Sequence, residues 1–150
     1  MDVDRELLQK RLAQAGAWLF AVGMVTGLWT AAVLTAKVTV PIPRLALAAH
    51  LNAILGGMWL IAVAWTLQFV RYGERGQRRL AWLVGTAAWA NWLLTLVASV
   101  LGVRGVAYTG DPVNNVVAVL LDAFVVLPSI VGAAAWAWGL GARGSSPPTV

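Results

Sequence analysis

With 150 residues, 60% of them hydrophobic and only 11% charged, the chain lacks the polar surface that a soluble globular domain needs. The absence of cysteine excludes disulfides, thiolate metal sites and cysteine nucleophiles. The net charge of +5 is carried in short stretches between apolar segments, so it reads as a topology signal and not as a nucleic-acid-binding surface.

Four apolar segments, 15–36, 45–70, 80–102 and 113–140, are each at or above the ~20 residues that cross a bilayer as a helix. The expected fold is an all-α integral membrane protein, a four-transmembrane-helix bundle. Residues 1–14 read as an amphipathic N-terminal segment, 15–140 as the membrane domain and 141–150 as a flexible tail. Arg5, Lys10, Arg11, Arg71, Arg75, Arg78, Arg79 and Arg143 fall on one side, against Lys37, Arg44 and Arg104 on the other. The positive-inside rule then puts both termini in the cytoplasm, with the chain multi-pass in a bacterial-type inner (plasma) membrane.

In the first span, Gly23-x-x-x-Gly27 forms a groove in which another helix can approach closely. Pro41 and Pro43 suit the first turn of the second span, which starts near Leu45. His50, the single histidine, then lies about five residues inside it, roughly 8 Å of rise, with Asn52 just beyond and the pair Gly56-Gly57 further in. In the third span Gly85, Ala88, Asn91, Thr95, Ala98 and Gly102 make one small and polar stripe. Together with Gly23-x-x-x-Gly27, this stripe offers more small-residue surface than one four-helix bundle needs, so it predicts assembly of several copies. The loop 105–112 has turn chemistry throughout, and Asp111-Pro112 suits the start of the fourth helix. Asn115, Asp122 and Ser129 recur every seven residues on one face of that helix, and Pro128 predicts a kink near the midplane.

Running the spans up and down puts His50, Asn52, Asn91, Asn115 and Asp122 in a common outer-half layer, the predicted site. Polar and ionisable groups inside a membrane segment face the bundle interior or a cavity and mark functional sites by default. One imidazole cannot assemble a zinc or di-iron ligand set, but it suffices as the protein ligand of a haem, with Gly56 and Gly57 leaving room for a macrocycle. The plainer alternative is that His50 only hydrogen-bonds across helices or sits at the headgroup boundary. Asp122 reads either as a working acid or as a group paired with an amide such as Asn91, and Asn91 itself either as helix–helix glue or as a substrate donor. Trp18, Trp65, Trp82, Trp136 and Trp138 fit an inner aromatic belt, whereas Trp59, Trp89 and Trp92 lie deeper and suit the wall of an aromatic pocket.

The stretch Gly85-Thr-Ala-Ala-Trp-Ala-Asn91-Trp-Leu-Leu-Thr95-Leu-Val-Ala98, preceded by Ala49-His50-Leu and a glycine pair, resembles the hydroxylaminobenzene mutase family. It is similar, more distantly, to the styrene oxide isomerases, and the likeness runs from about Leu45 to Ala133. The resemblance implies a homotrimeric membrane isomerase that uses ferric haem b as a Lewis acid, with His50 as its axial ligand. The substrate would be a small apolar aromatic molecule reached from the lipid bilayer. On this reading Asn91, Asn52 and Asn115 orient the substrate, Asp122 moves a proton, and Gly56, Gly57 and Arg44 belong to the cofactor site, Arg44 and Lys37 pairing with its propionates. The rearrangement implied is an arylhydroxylamine to a 2-aminophenol. The alternatives are epoxide-to-carbonyl isomerisation and a non-catalytic haem-binding or assembly subunit. In three places the chain departs from the pattern: Gly56 stands where relatives have an asparagine, and Ala87 and Thr95 stand at about the positions of an acid and a tyrosine.

Overall fold

In a computed structural model of the protein, which describes residues 3–141, every regular element is helical. Helix α1 spans Val3–Leu34, α2 Pro43–Thr66 and α3 Glu74–Leu101. The last span is composite: α4 (Pro112–Leu121), a π-helical turn at Asp122–Val126, and α5 (Leu127–Leu140). Four helices are therefore long and apolar enough to cross a membrane, as the sequence predicts. The predicted tail beyond Gly141 lies outside the described residues.

The helix boundaries follow local chemistry. α1 runs through the predicted division at Ala15 without a break, and its 32 residues give a rod of about 48 Å, longer than the ~30 Å hydrocarbon core. Pro43 occupies the first turn of α2, where a missing N–H costs nothing. Gly102 ends α3 in the left-handed conformation (φ 73°), against Pro41, whose Cβ would stand 2.9 Å from an added Cβ. The Asp111 carboxylate accepts from the Val113 amide at 2.9 Å and caps α4, with Pro112 directly after it.

Pro128 has the effect its missing N–H dictates, in a form the heptad spacing does not reveal. The chain widens by one residue just before it: the Leu127 amide donates to the carbonyl of Asp122, five residues back. The irregularity is a π turn at Asp122–Val126.

α1, α2 and α3 enclose the larger core, with Leu12, Leu19, Leu60, Val63, Leu67, Leu80 and Val84 buried together. A smaller core of Ala98, Val103 and Val117 closes the other end. Polar plugs tie the turns. Gln77, only 1% exposed, donates from Nε2 to the carbonyls of Tyr72 (3.0 Å) and Val70 (3.2 Å) and fixes the α2–α3 turn. At the opposite end the Thr30 hydroxyl donates to the Ala46 carbonyl and the Ser99 hydroxyl to that of Ile42.

The small residues assigned above to association between copies act mainly within the chain. A Cβ at Gly23 would lie 3.0 Å from Ala53 Cβ, and one at Gly27 would meet the His50 ring, so Gly23-x-x-x-Gly27 is the α1–α2 contact of a single molecule. Ala88, Thr95 and Ala98 of the third-span stripe are buried, whereas a Cβ at Gly85 would meet nothing within 4 Å.

Candidate functional site

Asn52, Asn91 and Thr95 form one polar knot between α2 and α3. Asn52 Nδ2 donates to Asn91 Oδ1 at 3.0 Å and to Thr95 Oγ1 at 3.1 Å, and the Thr95 hydroxyl lies 3.5 Å from the same Asn91 oxygen. The spacing Asn91-x-x-x-Thr95 puts both residues on one face of α3, opposite Asn52. Within hydrocarbon such bonds satisfy groups that would otherwise be costly to bury. The knot does not use everything it holds, since Asn52 Oδ1 and Asn91 Nδ2 have no partner among the described residues. One acceptor and one donor are left over.

Beside the knot is a cavity of about 290 Å³ lined by Asn52, Gly56, Trp59, Ala87, Asn91 and Ser129, among others. Its size is at the low end of the roughly 300–1,000 Å³ typical of small-ligand pockets. Gly56 lets α2 approach α3 and α1 closely beside it, since an added Cβ would lie 3.2 Å from Ala88 Cβ and from Leu19 Cδ2. Ser129 reaches it from α5, and Trp59 supplies an aromatic wall. A larger groove of about 560 Å³, lined by Trp18, Val22, Thr26, Trp29, Trp92 and Leu96 among others, lies between α1 and α3. Its one hydroxyl, Thr26 Oγ1, accepts from Trp92 Nε1 at 3.1 Å, and the rest of the lining is aromatic or aliphatic, so it has hydrophobic surface but little chemistry to offer.

His50 stands on the other side of α2. Its Nδ1 lies 2.8 Å from the carbonyl oxygen of Gly23, which can only accept, so in the neutral ring Nδ1 carries the proton and Nε2 keeps the lone pair. This is the arrangement that prepares an imidazole for metal ligation, the backbone carbonyl fixing both tautomer and ring orientation. A lone imidazole could serve only a group that brings its own remaining donors, and neither the cavity beside the knot nor the α1–α3 groove has His50 in its lining. Among the described residues no three His, Cys, Asp or Glu side chains gather where they could hold a metal ion.

The other predicted site residues are placed differently from the single outer layer. Asn115 is taken up by the loop: its Oδ1 accepts from the Thr109 amide at 2.8 Å and its Nδ2 donates to the Thr109 carbonyl at 2.9 Å. Its neighbour Asn114, which the sequence reading passed over, clamps the same loop, accepting from Gly105 N and donating to Ala107 O. Asp122 is exposed on the π turn, away from the knot and its cavity. The space above Gly57 is filled by α1, since an added Cβ would lie 2.7 Å from the Gly16 carbonyl oxygen and 2.8 Å from the Phe20 nitrogen. Gly57 thus closes a helix contact where room for a macrocycle was expected. Arg44 is exposed in the first turn of α2.

Of the residues singled out by sequence, Asn52, Asn91 and Gly56 come together, while His50 faces the opposite helix. Thr95 and Ser129 complete the cavity side. Thr95 is legible as the i+4 partner of Asn91, and Ser129 as the innermost member of the seven-residue polar series on the last span.

The model of the family described as styrene oxide isomerase matches residues 8–141, nearly the whole described structure. Among characterised proteins, the hydroxylaminobenzene mutase HabB of Ectopseudomonas oleovorans is 31% identical over 98 residues, which cover 65% of this chain and 56% of that protein. The match therefore spans little more than half the length of that relative. No solved structure matches. A family match running from the first turns of α1 to the end of α5, over a bundle of four apolar helices, settles the relationship: the chain belongs to the styrene oxide isomerase family.

Proposed function

We propose that the protein is a membrane-embedded isomerase that rearranges a small apolar aromatic molecule drawn from the bilayer, converting an arylhydroxylamine to a 2-aminophenol. The observation that carries this reading is the unused acceptor and donor of the Asn52–Asn91–Thr95 knot beside a small, partly aromatic cavity. A hydroxylamine N–H suits the Asn52 oxygen, its hydroxyl oxygen suits the Asn91 amide, and the ring lies against Trp59. In the rearrangement the N–O bond breaks, a C–O bond forms at the ortho carbon, and the ring proton lost there balances the proton taken up. Substrate and product are isomers, so no electron donor is consumed. The amides hold the developing charge in place, and the apolar wall excludes competing water.

His50 is the residue that would hold a ferric haem b, through the Nε2 left free by the Gly23 bond. When bound, such a group supplies a Lewis acid. Within one chain His50 looks towards α1 and Asn52 towards α3, so a site that uses both takes them from two copies, in keeping with a homotrimer. The distribution of basic residues supports placement in a bacterial inner membrane with both termini cytoplasmic.

A second reading, epoxide-to-carbonyl isomerisation, is favoured by the family match itself. Against it stand Ala87 and Thr95 near the cavity, which supply neither an acid nor a phenol.

The test is replacement of His50 by alanine in protein purified from haem-sufficient cells. The parent should show a Soret band and convert phenylhydroxylamine, and the variant should lose both while keeping its helical circular dichroism. A colourless parent, or a variant as fast as the parent, would overturn the haem-dependent mechanism, and a parent that converts no substrate would leave a non-catalytic assembly subunit as the better description. Styrene oxide assayed in parallel separates the two substrate classes.

A further inference from the structure

At the end of the bundle where α1 begins, the α2–α3 turn passes and α5 stops, a polar cavity of about 370 Å³ is lined by Arg5, Gln68, Phe69, Arg71, Tyr72 and Leu140, among others. Arg5 and Arg71 both line it, and none of its lining residues among those described is acidic. Arg5 Nε is closed off from solvent and has no hydrogen-bond partner among the described residues. A buried guanidinium N–H left without an acceptor is destabilising, and an anion held in the cavity against the rest of the Arg5 guanidinium would offset that uncompensated charge.

Arg71 is already fixed for the task. Its backbone amide donates to the Gly139 carbonyl at 3.1 Å, its Nη2 donates to the Trp138 carbonyl at 2.8 Å, and its guanidinium lies 5.4 Å from the Trp138 ring centre. The Tyr72 hydroxyl is spent on the Ala135 carbonyl. Phe69 and Leu140 add apolar surface beside the two cations, and the exposed Trp65, Phe69 and Trp138 side chains mark this end as a membrane–water boundary.

We infer that this cavity binds a phosphate group, offered either by an anionic phospholipid of the surrounding leaflet or by free phosphate. The guanidinium fork matches phosphate oxygens in geometry and charge. A lipid would in addition lay its chains along Phe69 and Leu140.

Native mass spectrometry of the full chain in mild detergent tests this with three probes: phosphatidylglycerol, phosphatidylcholine and inorganic phosphate. Phosphatidylglycerol should remain bound, with phosphatidylcholine, whose choline faces two cations, held about fivefold less. Arg5→Gln should lower the phosphatidylglycerol adduct about fivefold, and Arg5→Lys should restore part of it. Arg104→Gln, in the loop at the opposite end of the bundle, should leave it unchanged. An adduct with inorganic phosphate alone, removed by Arg5→Gln, supports the site and assigns it to free phosphate. Equal retention of both lipids, adducts indifferent to Arg5→Gln, or no adduct with any probe overturns the inference. Arg5 lies in the opening turns of α1, outside the core clusters, so the variant should fold, and circular dichroism checks that it does.

Discussion

Gly27 lies flat beneath the imidazole of His50: a Cβ added to it would stand 2.7 Å from Cε1 and 2.9 Å from Nδ1. The glycine and the Gly23 carbonyl together fix where the ring sits and which nitrogen is free. Gly27→Ala should therefore push the ring off its acceptor. On the proposed function, Soret absorbance and conversion should fall together by about tenfold or more, the range of effects seen when groups orienting a metal ligand are disturbed. A variant with parental absorbance and rate would show that ring placement at His50 does not matter.

Asn91→Leu should leave the Soret band intact and slow conversion by about 10²- to 10³-fold, the usual loss for one positioned donor. Because Asn52 bonds directly to Asn91 and to Thr95, removing both amides should cost much less than the product of the single losses. Strictly multiplicative effects in a double-mutant cycle on conversion rate would mean that the two amides act independently.

Gly57→Ala tests packing alone. Its Cβ would overlap the Gly16 carbonyl oxygen at 2.7 Å, a backbone atom that cannot turn away, so α1 and α2 must separate. A destabilisation of about 1–3 kcal/mol is expected, read as a lower thermal midpoint in detergent. An unchanged midpoint would show that the α1–α2 contact is looser than this.

Tyr72→Phe removes one hydrogen bond, 2.7 Å to the Ala135 carbonyl, and little else. The cost should be about 0.5–1.5 kcal/mol with conversion unaffected, because the bond joins the α2–α3 turn to α5 far from the amide knot. Thermal unfolding and a rate assay on one preparation decide it.

Tyr108 lies exposed in the loop between α3 and α4, at the opposite end from Arg71. Since the chain has no cysteine, Tyr108→Cys gives a single labelling site. With the termini cytoplasmic, an impermeant thiol reagent should label intact cells, and labelling only after lysis would reverse the orientation.

The four spans were legible because hydrophobic length is a property of sequence alone, and the helix starts at Pro43 and Asp111-Pro112 were legible because each uses a residue type with one strong local preference, whereas Gly102, read as part of the small-residue stripe, ends α3. The association of Asn52, Asn91 and Gly56 was within reach because Asn52 and Gly56 lie four residues apart on one face of α2 and Asn91 lies at similar depth on the antiparallel neighbour. Azimuth was harder. His50 and Asn52 are two residues apart, about 200° around a helix, so similar depth does not bring them to one pocket. Asn115 is placed by a different rule: a short polar side chain at the start of a helix competes for loop backbone, and here Thr109 takes both ends of its amide.

The π turn at Asp122–Val126 has a consequence for insertions and deletions. The residue it adds rotates α4 by about 100° relative to the face an unbroken helix would show above α5. Deleting one residue there, Ala123 for instance, would restore an α-helical ladder and still leave a span of sufficient length. It would also swing Asn114 and Asn115 off the 104–109 backbone that they clamp, while Ser129 stayed beside its cavity. Chain length in this segment is therefore as much a part of the specification as residue identity, and a relative one residue shorter would need a rebuilt α3–α4 loop to keep the same cavity.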